Sequence, residues 1–112
     1  MASAVRVSVA RDFHERPGGR FPWEGPHSGE EFREKVLVNR YREAKEAEAP
    51  LIVDLDGTSG YASSFLEEAF GGMIRKRYAE KHDLLQRLMV VSEAQPKWIQ
   101  RVGRYIQQAE PE

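Results

Sequence analysis

Val5, Val7 and Val9 alternate with Arg6 and Ser8, and a period of two is that of a strand with one buried face. The alternation predicts a first strand reaching about Phe13. Arg16-Pro17-Gly18-Gly19-Arg20 then signals a turn. Phe21 to Glu24 reads as a short second strand completing a hairpin, before Gly25-Pro26 breaks the chain. From Ser28 the period changes. Ser28-Gly29-Glu30-Glu31 is a capping box, opening a helix to about Ala47 with Phe32, Val36, Leu37, Tyr41 and Ala44 on one side. The charged positions between them form a solvated face.

Leu51-Ile52-Val53-Asp54-Leu55 carries apolar residues on both faces, as in a central strand covered on one side or both. A second helix starts near Ser63 or Ser64, where Ser64-Phe65-Leu66-Glu67 repeats the capping-box pattern. Leu66, Ala69, Phe70 and Met73 give its inward stripe. Gly71-Gly72 inside this helix costs roughly 1 kcal/mol per Gly relative to Ala, which predicts close approach of a neighbouring element. Leu88 to Val91 is a third main strand. Pro96 suits the first turn of a last helix, striped by Trp98, Val102, Tyr105, Ile106 and Ala109. Only the tail Glu110-Pro111-Glu112 reads as frayed. The order β-β-α-β-α-β-α predicts an α/β fold, a mixed or parallel sheet carrying helices. A length of 112 residues predicts one domain over 1–112.

Composition narrows the chemistry. The chain has no cysteine, which excludes disulfides and thiolate–metal sites. Lys plus Arg is 17 and Asp plus Glu is 18, a formal net charge of −1, so no overall field favours nucleic acid or an anionic membrane. No apolar run approaches the roughly 20 residues of a membrane helix. The N-terminus has no signal-peptide pattern, and a cytoplasmic protein is the expectation. His14, His27 and His82 lack metal-ligand spacing, so no metal or other cofactor is expected.

Asp54-Leu55-Asp56-Gly57-Thr58 resembles the signature of haloacid-dehalogenase-like phosphatases. That resemblance implies Asp54 as nucleophile, Asp56 beside it and a Mg²⁺ ion. The later acidic pair that this chemistry needs is missing, since Val90-Val91-Ser92-Glu93-Ala94 offers one carboxylate. Asp56-Gly57 is also ordinary turn chemistry, so a phosphatase using Asp54 and Asp56 is the alternative reading only. Arg16 and Arg20 flank a Gly pair and could contact an anion. Glu67 and Glu68 adjoin on a helix, and adjacent helical residues point in different directions. Arg75-Lys76-Arg77 complements the end of a helix dipole.

Taken whole, the strand, the loop with Ser59, and Ser63-Ser64 before Leu66 and Gly71 resemble the STAS domain (sulfate transporter and anti-sigma factor antagonist). The chain is also similar to the bacterial STAS-like domain family of unknown function. That likeness is carried by Pro17-Gly18-Gly19-Arg20, by Gly25-Pro26 with Ser28-Gly29-Glu30-Glu31-Phe32, and by Ser63 through Gly71. The resemblance implies a STAS-like sheet with helices mainly on one face. It implies a non-enzymatic interaction or regulatory module, a protein partner such as a kinase-like ATPase, and a phosphorylatable Ser at the position of Ser64, with Ser59 and Ser63 nearby. Ala62 and Phe65 stand where the STAS pattern has Asp and Gly.

Overall fold

The computed structural model describes residues 3–112. Met1 and Ala2, part of the N-terminus read as free of a signal peptide, lie outside the described residues. Three strands, β1 (Val5–Ser8), β2 (Leu51–Asp54) and β3 (Leu88–Val91), make a sheet of order β1-β2-β3. Both pairings are parallel, with Val5 opposite Leu51 and Leu51 opposite Leu88. Helix α1 covers 29–47, α2 covers 63–75, α3 is Lys81–Arg87 and α4 is Lys97–Gln108. The helices lie on one face of the sheet. Val7, Leu51 and Val53 point into that layer and are buried, whereas Arg6, Ile52 and Met89 stand in one row on the other face, where Arg6 and Met89 are exposed. No helix among the described residues is long and apolar enough to cross a membrane.

The α/β class and the one-sided helix layer match expectation; two details do not. The first strand stops at Ser8, because the chain then folds into a π-helical turn, Val9–Phe13. Ser8 Oγ accepts from the Arg11 N–H, and the Asp12 carboxylate accepts from the Ser8 N–H at 2.7 Å, so this turn caps itself. The expected second strand is a 3₁₀ turn, Pro22–Glu24. Pro22 has no N–H for a ladder, and Glu24 Oε1 accepts from the backbone N–H groups of Arg20 and Phe21. Without that hairpin the sheet is wholly parallel rather than mixed.

Both long helices contain a π-helical stretch, Arg33–Leu37 in α1 and Glu67–Gly71 in α2. Ser28 caps α1 as expected, accepting from the Glu31 N–H at 3.1 Å. The close approach predicted at Gly71-Gly72 is real. A Cβ on Gly72 would overlap the Arg33 guanidinium, and one on Gly29 would overlap the Phe65 carbonyl. Helix α3 is an element the hydrophobic pattern did not announce, since Leu84 is its one fully buried residue. The tail is tied down rather than frayed: the Glu112 N–H donates to the Arg75 carbonyl and Arg77 Nε donates to the Glu112 carbonyl.

Candidate functional site

The C-terminal ends of β2 and β3 open into two loops, 55–62 and 92–96. Loop ends at this edge of a parallel sheet are where ligands gather in α/β folds. Asp56 joins the two loops. Its carboxylate accepts the N–H groups of Glu93 and Ala94 at 2.8 and 2.9 Å. Asp54 Oδ1 accepts the Asp56 N–H at 2.8 Å. Gly57 and Gly60 take φ of 91° and 130°, conformations closed to most side chains, and Thr58 Oγ1 accepts the Gly60 N–H between them. The Ser59 N–H donates to the Glu15 carbonyl at 2.8 Å, which ties this loop to the segment after β1.

Beneath the loop, the Tyr61 hydroxyl donates to the Leu55 carbonyl at 2.7 Å, and its ring packs against Phe65 and Trp98. Burial pushes the Tyr61 phenol up to about 12, with Asp54 and Asp56 adding to the shift. Trp98 Nε1 donates to Gln95 Oε1, and Ser92 Oγ donates to the Gln95 carbonyl. The cleft between the loops is only about 80 Å³, far below the 300–1,000 Å³ of an ordinary small-molecule pocket.

Asp54 and Asp56 are thus near one another, but both are engaged in backbone hydrogen bonds, and they part in direction. Asp56 faces the cleft with Tyr61 and Trp98, while Asp54 lines a separate hollow of about 300 Å³ on the open sheet face with Arg6, Ser8, Arg11 and Asp12. Among the described residues no three His, Asp or Glu side chains are grouped to hold a metal ion.

The serines sit differently from the capping-box expectation. Helix α2 begins at Ser63, its N-cap is Ala62 in extended conformation, and no side chain caps it. Ser63 and Ser64 are therefore its first two helical residues. The box fails because Ser64 lies inside the helix rather than at its N-cap, and its far partner is engaged elsewhere: Glu67 accepts from Arg75 at 2.7 and 3.0 Å and from Arg20 at 2.5 Å. Ser59 and Ser63 are exposed, and Ser64 is half-buried.

Arg20 is correspondingly held from within, bonding Glu67 and Glu68, while Arg16 is exposed. Glu67 and Glu68 do converge, contrary to the expectation that they point apart. The π-helical stretch that holds both brings them onto the shared cations Arg20 and Arg75. Arg33 completes the group. Its guanidinium, 1% exposed, donates to a Glu68 carboxylate oxygen at 2.6 Å, to the Glu68 carbonyl at 2.8 Å and to Glu34 at 2.8 Å. Burial opposes the charge on Glu67, but hydrogen bonds from Arg75 and Arg20 outweigh it and hold the carboxyl below its ordinary value. The sequence pattern placed Arg33 on a solvated face; the signal for its burial was Gly72, which leaves room for it.

Neither a curated protein nor a solved structure matches the chain. A family model described as a STAS-like domain of unknown function (DUF4325) matches residues 28–98, which include α1, β2, the loop 55–62, α2 and β3. The chain belongs to that STAS-like domain family.

Proposed function

We propose that the chain is a protein-interaction module of a regulatory system, and that its contact surface is the loop 58–64 with the first turn of α2. The observation that carries this reading is a rigid loop with unused hydroxyls. Asp56, Tyr61 and the Ser59–Glu15 backbone bond fix the loop on the sheet. The exposed side chains of Ser59 and Ser63 point away from that base and take no part in capping. Binding residues are commonly carried on loops positioned by a stiff scaffold. The small cleft at the loop itself, and the engagement of Asp54 and Asp56 by backbone N–H groups, favour contact with a macromolecule there over turnover of a small substrate.

By family likeness, the partner is a kinase-like ATPase and the control is serine phosphorylation. A phosphate adds about −1.5 to −2 charges and is well placed at a helix N-terminus. Ser63, at the first helical position and exposed, is more accessible to a kinase than the half-buried Ser64. The test is intact-mass and peptide mass spectrometry of protein from its own cells, with affinity capture using Ser59→Asp, Ser63→Asp and Ser64→Asp. The reading expects phosphate on one of these serines and a partner lost from the matching Asp variant. Unmodified serines, with identical partners for all variants, overturn it.

A further inference from the structure

Among the described residues, β3 has a neighbour on one side only. The Leu55 N–H donates to the Val91 carbonyl at 2.8 Å. Val91 and, by alternation, Met89 therefore turn their backbone groups toward β2, while Leu88 and Val90 turn theirs outward. An unpaired edge of this kind is a template for another strand. Beside it, on the helix side, lies a groove bordered by Leu85, Leu88, Val90, Ile99 and Gly103, with no charged residue in its wall. Met89 and Ile99 are two of the three exposed large hydrophobic residues among those described, at 56% and 45%. Both lie at this edge, Met89 on the open sheet face and Ile99 on the groove rim. Gly103 is one turn further along α4, and a Cβ there would meet nothing within 4 Å. The helix thus presents a knob and a notch side by side.

An uncharged wall gives a charged partner nothing to pair with. A knob and a notch one turn apart on the same helix complement each other when that helix packs antiparallel against its own copy. A twofold axis normal to the sheet produces this packing. It sets β3 antiparallel to β3 of a second copy, pairs Leu88 with Val90 of the second copy in both directions, and places the two Met89 residues across the axis. We propose that the β3 edge and the Ile99–Gly103 face of α4 form a self-complementary dimer interface, joining two sheets into one. The strip measures roughly 18 Å by 20 Å, from the rise of α4 and the spacing of packed layers. That is under half of the about 800 Å² per partner in a standard interface, so the dimer is weak and concentration-dependent.

Sedimentation velocity over a wide concentration range tests the proposal. The expected result is a monomer that converts to dimer as concentration rises. Ile99→Lys and Gly103→Leu should each weaken the dimer at least tenfold, and Trp23→Ala, in the Pro22–Glu24 turn and not among the groove residues, should leave it unchanged. The Gly103 side chain enters open space, so that variant keeps the test sound if Ile99→Lys fails to fold. Because the chain has no cysteine, Met89→Cys supplies a second readout. Mild oxidation should give a disulfide-linked dimer from Met89→Cys and none from Trp23→Cys. A monomer at every concentration, a dimer indifferent to both groove variants, or one broken by Trp23→Ala overturns the proposal.

Discussion

Arg33 and Ser64 show how far a single residue's environment departs from its sequence pattern. Arg33 is 1% exposed and is neutralised by Glu34 and Glu68. Removing one partner of a buried ion pair usually costs about 3–5 kcal/mol. Glu68 would keep Arg20 and Arg75, so Arg33→Ala is expected near the low end, about 3 kcal/mol by urea denaturation. Lys35→Ala, which removes an exposed pair with Glu31, should stay within about 0.5 kcal/mol. A Ser at a helix N-cap contributes about 1 kcal/mol, the role that the capping-box pattern implies for Ser64. Its place inside α2 removes that role, and Ser64→Ala is expected within about 0.5 kcal/mol of the parent in the same measurement.

At the scale of the elements, the loop ends after β2 and β3 depend on one carboxylate. Asp56→Ala would leave the N–H groups of Glu93 and Ala94 to water. A loss of about 1–2 kcal/mol is expected for these partly exposed bonds, with faster amide exchange at Glu93, Ala94 and the residues of the 55–62 loop. Unchanged exchange there would show that Asp56 does not join the loops. The elements themselves were largely legible. The stripe Trp98–Val102–Ile106 is buried as its period requires, and Phe32, Leu37 and Tyr41 are buried with the π-helical stretch 33–37 bringing Leu37 inward, while Val36 and Tyr105 are only partly covered; the Gly pair marked a true helix contact. Less visible was whatever depends on side chains meeting across distance. Phe21 to Glu24 has strand-like composition, but Glu24 folds back onto its own backbone. Helix α3 is too short to show a period. The convergence of Glu67 and Glu68 required a π-helical stretch and two distant arginines, none of which a local window contains. Of the candidate site, the position of the loop between β2 and the next helix was legible, while the helical placement of Ser63 and Ser64 and the structural use of Asp56 were not.

For the whole molecule, the ion cluster sets a direction for pH dependence. The carboxyls of Glu34 and Glu67 are held below their ordinary 4.5, and that of Asp83 below 3.8, by neighbouring arginines and tyrosines that outweigh burial. Groups with lowered folded values stabilise fully above the ordinary value and lose that contribution as pH falls through the lowered one. Urea midpoints should therefore be flat near neutrality and fall below about pH 4.5, with a shallower fall in Glu67→Gln. A midpoint that rises on acidification would contradict the cluster's role. The sheet and the 55–62 and 92–96 loops fix the Thr58–Ser64 segment in place, and the proposed role of that segment is contact with a protein partner. Site-specific photo-crosslinking in the cells that make the protein tests it most directly. A crosslinking side chain at Ser59 or Ser63 is expected to yield a discrete protein adduct, and one at Lys45, exposed on α1, to yield none of the same mass. An adduct from Lys45 alone, or the same adduct from every position, would contradict the account.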